Sequence, residues 1–133
     1  MIKKIDHIGI AVRDLERAVA TFVDALGLDA GDRERLDDRQ LETFFCRAGD
    51  VHVELLESLS PGTPIARYIA KRGEGIHHIC FEVEDLDEVL ARCRRKGLEV
   101  IGEPQAGAHG KRVAFLHPRS THGVLIELSE QSR

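Results

Sequence analysis

Cysteine is scarce in this chain, and its placement excludes two kinds of structure. Cys46, Cys80 and Cys93 are the only cysteines among 133 residues, and no two of them form a C-x-x-C pair. A disulfide framework and a structural zinc site both need paired cysteines at characteristic spacings. We therefore expect reduced thiols and a cytoplasmic protein.

The sequence also lacks an excess of basic residues and any long hydrophobic run. Its net charge is −4, whereas nucleic-acid-binding proteins usually carry a basic stripe. No apolar stretch approaches the roughly 20 residues that cross a membrane, and Met1–Lys4 leads into a strand pattern without a hydrophobic leader. We expect no nucleic-acid partner and no membrane partner, and one domain over residues 1–133.

The most informative feature present is a pattern that occurs twice. Ile5, His7, Ile8, Val12, Asp14 and Leu15 recur in the same order and spacing as Ile76, His78, Ile79, Val83, Asp85 and Leu86. Further along each half, Val53-Glu54-Leu55 matches Ile126-Glu127-Leu128. We therefore predict two modules, at about residues 1–58 and 76–133, with a linker at about 59–75.

The first module is predicted to begin with a strand and a helix. Ile8, Ile10 and Val12 alternate with smaller or polar residues, which is the period of a strand with two different faces. Asp14 then precedes a helical stripe, and Gly27 is placed to end the helix in a left-handed conformation. That stripe consists of Leu15, Ala18, Val19, Phe22 and Leu26.

The second module repeats this plan. Asp85 and Glu88 resemble a capping box, and Gly97 is placed to end the helix. The buried stripe of this helix is predicted at Leu86, Val89, Leu90 and Cys93. Later strands are predicted at Gln40–Ala48, Val51–Glu57, Lys111–His117 and Gly123–Ser129, with weaker ones at Asp29–Arg35 and Leu98–Gly102. The linker combines turn-rich Ser60–Pro64, a short helix Ile65–Arg72 and Gly73-Glu74-Gly75. Each module therefore has the order βαβββ.

Strand alternation predicts the face on which four polar residues lie. His7, Glu54, His78 and Glu127 each stand opposite the bulky residues of their own strands. If helices cover the bulky faces, the other faces form a cup lined by these four residues. The predicted fold is α+β, with paired βαβββ modules forming a cupped mixed sheet and helices outside. Two imidazoles and two carboxylates are suitable ligands for a divalent first-row metal.

Each of these residues also has a structural interpretation. A single histidine on a strand is more often a hydrogen-bonded structural residue than a ligand, and a glutamate can simply lie on the solvated face of an antiparallel sheet. The repeat favours the metal site. His77 is shifted to the other face, so we interpret it as structural. The basic residues at Arg92–Lys96 are interpreted as the exposed end of a helix.

Several segments together resemble one known family. They are His7-Ile8-Gly9-Ile10-Ala11-Val12, Val53-Glu54-Leu55-Leu56-Glu57, Gly73-Glu74-Gly75-Ile76-His77-His78-Ile79, Gly107-Ala108-His109-Gly110-Lys111, Phe115-Leu116-His117-Pro118 and Gly123-Val124-Leu125-Ile126-Glu127-Leu128. The chain is similar over nearly its whole length to the methylmalonyl-CoA epimerase family of the vicinal oxygen chelate (glyoxalase/bleomycin resistance) superfamily. The His-His segment combined with the C-terminal stretch is the specific part of this resemblance.

The resemblance implies a metal-dependent reaction on an acyl-CoA. Members interconvert the (2R) and (2S) epimers of methylmalonyl-CoA by proton transfer at C2 through a metal-stabilised enolate. The implied metal ligands are His7, Glu54, His78 and Glu127, the same four that the strand faces select. Co²⁺ is the metal that we expect first, and Mn²⁺, Ni²⁺ or Zn²⁺ would accept the same ligands. A homodimer is also implied.

Inversion at C2 requires proton exchange on both faces of the carbon, and therefore two bases. Glu127 is our candidate for one, since the resemblance implies a ligand that also faces C2. For the other we propose Glu42, on the strand before Glu54. The segment Arg35–Gln40 departs from the glycine-containing turn of the family, which leaves the register of that strand open. A residue of the neighbouring strand, or water, is the alternative.

Three other functions fit the same fold. A lactoylglutathione lyase would use a similar His/Glu set. A ring-cleaving Fe(II) dioxygenase needs two histidines and one carboxylate, so Glu54 argues against it. A drug-sequestering protein needs no metal and tends to line its cup with aromatics, which make up 5% of this chain with no tryptophan. The loop Gly107–Lys111 either contacts CoA or is only a tight hairpin.

Overall fold

The computed structural model describes residues 1–131. It divides the chain into two compact units. The first unit is His7–His77, and the second joins Met1–Asp6 to the chain from His78 onward. No helix among residues 1–131 combines the length and apolar character needed to cross a membrane.

The first unit contains a four-stranded mixed sheet. Its elements are β1 (Ile2–Val12, which begins in the second unit), α1 (Leu15–Val19) with a following π-helical segment (Ala20–Ala25), β2 (Asp29–Leu36), β3 (Leu41–Ala48), β4 (Val51–Ser58) and α2 (Pro64–Arg72). The strand order is β2-β3-β4-β1. β1 runs parallel to β4, while β3 is antiparallel to both of its neighbours.

The second unit repeats this sheet. Its elements are β5 (Gly75–Val83, which begins in the first unit), α3 (Leu86–Arg95), β6 (Val100–Ala106), β7 (Lys111–Leu116) and β8 (Leu125–Gln131), with short 3-10 turns at Ala108–Gly110 and Pro118–Ser120. The order is β5-β8-β7-β6, with β5 parallel to β8 and the other pairs antiparallel. The predicted α+β class with βαβββ repeats is confirmed.

The predicted helix boundaries are explained by their caps. Asp14 accepts a hydrogen bond from the backbone N–H of Arg17 at 3.2 Å, and Asp85 accepts one from Glu88 at 3.1 Å. Gly27 and Gly97 have φ values of 83° and 86°, which are left-handed conformations that glycine adopts without a steric cost. Both helices therefore start at an aspartate and stop before a glycine, as predicted.

Each unit has its own hydrophobic core under its first helix. In the first unit the buried cluster is Val12, Leu15, Ala18, Phe44, Cys46 and Leu55. In the second unit it is Val83, Leu86, Leu90, Ala114, Leu116 and Leu128. A third cluster in the first unit, of Ala11, Leu56 and Ile65, lies under α2. Since Ala11 and Leu56 alternate with Val12 and Leu55, α2 packs on the sheet face opposite α1.

One predicted core residue is exposed. Leu26, expected on the helical stripe, has 65% of its surface accessible. The segment Ala20–Ala25 is π-helical, and the N–H of Leu26 bonds the carbonyl of Thr21, five residues earlier, at 3.0 Å. This wider turn moves Leu26 off the buried stripe. Leu28 packs against the core instead.

Candidate functional site

The first unit brings His7 and Glu54 together. His7 is 7% exposed, and its Nε2 lies 3.4 Å from Oε1 of Glu54. In the parallel pairing of β1 with β4, Glu54 lies opposite Gly9. The two side chains therefore meet diagonally, two residues apart along β1.

The second unit brings His78 and Glu127 together in the same way. His78 is 6% exposed, and its Nε2 lies 3.4 Å from Oε1 of Glu127. Glu127 lies opposite Cys80, again two residues after the histidine. The sequence repeat is thus a repeat of geometry, with the same donor atoms at the same separation.

The strand pleat explains why these side chains share a face. Val12 and Leu55 belong to the core under α1, so the alternating residues His7 and Glu54 lie on the opposite face. In the second unit, Leu128 belongs to the core under α3 and Glu127 precedes it. The alternation in the sequence therefore predicted the faces of these side chains.

The separation in each pair suits two ligands of one ion. Metal bonds of about 2.0–2.2 Å to nitrogen and oxygen place two adjacent ligand atoms roughly 3 to 3.4 Å apart. A charge-assisted hydrogen bond between a protonated imidazole and a carboxylate is shorter, at about 2.7–2.9 Å. The 3.4 Å distance in both pairs fits the donor set of a divalent cation.

The site also includes Phe45, which the sequence did not indicate. It lies opposite Glu54 in the pairing of β3 with β4. Its ring meets the His7 ring edge-on, with centroids 6.1 Å apart, and the His52 ring at 6.2 Å. An apolar ring at this position limits the orientations of the His7 imidazole. Only the alternation of β3, with Phe45 out of phase with the core residue Phe44, could have indicated it.

The structure does not bring Glu42 to this face. Glu42 lies opposite Glu57 in the strand pairing and alternates with Phe44, a residue of the core under α1. Its Oε1 accepts a hydrogen bond from Nε of Arg33 at 3.0 Å. This bond, together with the carboxylate of Glu16, raises the pKa of the Arg33 guanidinium. The role of Glu42 as a second base stays a prediction, and its placement argues against that role.

Three other histidines, His77, His117 and His109, lie outside the two pairs. The ring of His77 meets the Tyr68 ring edge-on at 5.1 Å. His117 caps a 3-10 turn, since its Nδ1 accepts a hydrogen bond from the N–H of Arg119 at 3.1 Å. His109 has a positive φ of 59° within a short turn. The contact of His77 agrees with its structural interpretation, and the hydrogen bond of His117 gives that residue a capping role.

The loop Gly107–Lys111 is closed within the second unit. The N–H of Gly107 bonds the carbonyl of Lys111 at 2.8 Å. The ammonium of Lys111 lies 2.6 Å from Oδ1 of Asp6 and 3.9 Å from Oε1 of Glu82. The backbone therefore forms the tight hairpin that the sequence left as one alternative, and its cation pairs with two carboxylates.

Two further glutamates, which the sequence did not indicate, bind the starts of the helices. Oε1 of Glu57 accepts a hydrogen bond from the backbone N–H of Leu15 at 2.6 Å. Oε2 of Glu130 accepts one from Leu86 at 2.6 Å. Each follows the glutamate of its pair by the same number of residues, a repetition that could have marked them in the sequence.

Comparison with known proteins agrees with the repeated site. Residues 6–115 match the Glyoxalase/Bleomycin resistance protein/Dioxygenase superfamily. The ethylmalonyl-CoA/methylmalonyl-CoA epimerase of Cereibacter sphaeroides is 41% identical, over 98% of this chain and 99% of that protein. The crystal structure of methylmalonyl-CoA epimerase from Mycobacterium tuberculosis superposes with a TM-score of 0.90 at 32% identity, covering 99% of this chain and 90% of that one.

A second similar structure contains a ligand. It is a methylmalonyl-CoA epimerase in complex with methylmalonyl-CoA and NH4+, with a TM-score of 0.88 at 34% identity, covering 99% of this chain and 96% of that one. The similarities in sequence and in structure each extend over nearly the whole chain. The chain therefore belongs to the methylmalonyl-CoA epimerase family of the glyoxalase/bleomycin resistance protein/dioxygenase superfamily.

Proposed function

We propose that this protein interconverts (2R)- and (2S)-methylmalonyl-CoA by proton transfer at C2. The observation that carries this proposal is the repeated His–Glu pair, with the same 3.4 Å separation in both units. It occurs in a chain whose relatives include proteins named as epimerases of this substrate. C2 of this substrate lies between a thioester carbonyl and a carboxylate, so removal of its proton gives an enolate.

We further propose that His7, Glu54, His78 and Glu127 bind one divalent cation. Two neutral imidazole nitrogens and two carboxylate oxygens are ligands that first-row metals accept, and Co²⁺ is our first choice among Co²⁺, Mn²⁺, Ni²⁺ and Zn²⁺. The cation, when bound, would supply Lewis-acid polarisation to the substrate carbonyl.

The low exposure of the four side chains supports this role. The side chains of His7 and His78 are 9% and 8% exposed, and those of Glu54 and Glu127 are both 14% exposed. Little water reaches them, so electrostatic interactions with a bound group are stronger than in solvent. The carboxylates retain enough accessible surface to contact a substrate.

Glu127 is the proposed carrier of the C2 proton on one face. A carboxylate close to the carbon can remove the proton and return it, and a positioned base of this kind typically contributes a factor of about 10² to 10⁴ in rate. Epimerisation also requires exchange on the opposite face. Glu42 was predicted there, but it lies on the α1 side of the sheet and binds Arg33.

Substrate range and assembly extend the same proposal. The Cereibacter relative is named for both ethylmalonyl-CoA and methylmalonyl-CoA, so we include ethylmalonyl-CoA as a second substrate. The lactoylglutathione lyase activity that the ligand set also fits is the alternative. We expect a homodimer by resemblance to the family.

Deuterium incorporation from D₂O into C2 tests the proposal. Co²⁺-loaded protein should exchange the C2 proton of methylmalonyl-CoA, and chelator-stripped protein should do so at least about 100-fold more slowly. Succinyl-CoA, which lacks the acidic C2 position between two carbonyls, is the control. Exchange or isomerisation only of the glutathione hemithioacetal would assign the alternative activity. Equal exchange with and without metal would contradict the cation proposal.

A further inference from the structure

A glutamate in each unit connects the strand of the donor pair to the start of the adjacent helix. Glu57, on β4, accepts the N–H of Leu15, the first residue of α1, at 2.6 Å. Glu130, on β8, accepts the N–H of Leu86, the first residue of α3, at 2.6 Å. The same contact therefore occurs twice, once in each unit.

These glutamates add to the capping that the aspartates already give the two helix starts. The first N–H groups of a helix lack partners within the helix, and Asp14 and Asp85 already act as N-caps to Arg17 and Glu88. The extra carboxylate comes from a strand distant in sequence, by 42 residues in the first unit and 44 in the second. What it adds is a link between helix and strand.

In each unit the link joins two parallel strands, and no hairpin turn sets the register of that pair. β1 and β4 are parallel, as are β5 and β8, and parallel strands are joined by long connections rather than hairpins. A shift of one residue would turn every side chain of one strand to the other face. His7 would then no longer face Glu54.

Glu57 lies where it can prevent such a shift. It pairs with Val12, the last residue of β1, and its side chain holds Leu15 just beyond that strand end. In the second unit, Ser129 pairs with Glu82, so Glu130 follows at the end of β5, next to Leu86. Each bond fixes the end of the histidine strand against the glutamate strand.

We propose that Glu57 and Glu130 are positioning residues that maintain the strand register of the two His–Glu pairs. Both carboxylates lie on the helix-covered face of their strands, in phase with Leu55 and Leu128, and so opposite the face of Glu54 and Glu127. Each acts through the backbone that follows the histidine strand of its unit. The consequence for metal binding rests on the proposed function, whereas the consequence for strand register does not.

Cobalt titration of the metal-free protein tests the metal-binding consequence. Glu57→Ala should weaken Co²⁺ binding by about 10- to 100-fold, the usual effect of removing a group that orients a ligand. Glu57→Gln keeps an oxygen acceptor and should recover most of this loss. The matched control is Asp14→Ala, which removes another carboxylate from the same helix start and should leave Co²⁺ affinity and the visible cobalt spectrum unchanged.

Hydrogen exchange of the metal-free variants tests whether the Glu57 bond holds the two strand ends together. Backbone amides of β1 and β4 near Val12 should exchange faster in Glu57→Ala than in Asp14→Ala. Each variant is measured at the same fraction of its own urea-unfolding midpoint, so that a difference in global stability does not affect the comparison. The proposal is overturned if Glu57→Ala and Asp14→Ala behave alike, or if Gln is no better than Ala. If the wild type binds no Co²⁺, the metal proposal fails and hydrogen exchange alone decides the role of Glu57.

Discussion

The two histidines of the donor pairs occupy nearly identical surroundings. His7 and His78 are 7% and 6% exposed, and each meets a glutamate oxygen at 3.4 Å. His77 adjoins His78 in the chain, yet the pleat turns it to the other face, where it contacts Tyr68. Adjacent residues of one type therefore have different surroundings, and the different roles that we propose for them can be tested.

His78→Ala should abolish metal retention without unfolding the protein. It removes one imidazole ligand, and since loss of a supporting group alone costs about 10- to 100-fold in metal affinity, a larger loss is expected. His77→Ala is the control and should retain the wild-type metal content. Metal analysis after gel filtration measures both. Stoichiometric metal in His78→Ala would contradict the ligand assignment.

Glu42→Gln tests the second base. Because Glu42 lies on the α1 side and binds Arg33, we expect deuterium exchange at C2 to remain near the wild-type rate. Loss of a general base would lower the rate by about 10² to 10⁴, as expected for Glu127→Gln. A loss of that size in Glu42→Gln would restore its predicted role and show that its strand moves when substrate binds.

At the scale of elements, the start and the end of the first helix differ in burial. Leu15 is 1% exposed at its start, whereas Leu26 is 65% exposed after the π-helical segment. A helix with a period of 3.6 residues would bury both. The wider turn explains why one stripe residue packs in the core and another does not.

Leu15→Ala and Leu26→Ala should therefore differ strongly in stability. Removing the buried Leu15 side chain should lower the free energy of unfolding by about 2 to 5 kcal/mol. Leu26→Ala should change it by less than about 0.5 kcal/mol, as at other surface positions. Urea denaturation measures both. Equal losses would mean that Leu26 is buried and that the helix continues regularly.

The elements show what the sequence could predict. Alternation and capping residues are local signals, so the strands, the helix starts at Asp14 and Asp85, and the faces of His7 and Glu54 were predictable. The wider turn of the π-helical segment is not marked by either of these local signals. The contact of Glu57 with Leu15 joins residues 42 positions apart, and without the strand register its partner could not be identified.

Register also limited the prediction for Glu42. Its carboxylate is a plausible base by residue type, but its role depends on which face of β3 it occupies. That face follows from the pairing of Phe45 with Glu54, which the sequence left open. The ligand role of His7, Glu54, His78 and Glu127 also remains a prediction, because it requires residues of different strands to share one ion.

At the scale of the whole molecule, the cysteines are predicted to be unreactive in the native protein. Burial raises the pKa of the Cys46 and Cys93 thiols, so the reactive thiolate is disfavoured. Cys46 and Cys80 are both 0% exposed. Thiol labelling at pH 8 should be slow in the native state and fast on unfolding.

The same pKa shifts predict a dependence of stability on pH. Because the folded pKa is raised, the contribution to stability is complete below the unfolded thiol value of about 8.5 and is lost as the pH rises through the folded value. Cys46→Ala should make the alkaline loss of stability shallower in urea denaturation between pH 7 and 10. An unchanged pH profile would contradict the burial of this thiol.

We propose above all that His7, Glu54, His78 and Glu127 bind the same cation. X-ray absorption spectroscopy of the Co²⁺-loaded protein counts imidazole ligands for each cobalt ion. The account predicts one cobalt per chain with two imidazoles and oxygen ligands at about 2.0–2.2 Å, falling to one imidazole in any residual cobalt bound by His78→Ala. One imidazole per cobalt in the wild type, with two cobalt ions per chain, would show that the pairs bind separately and would contradict the account.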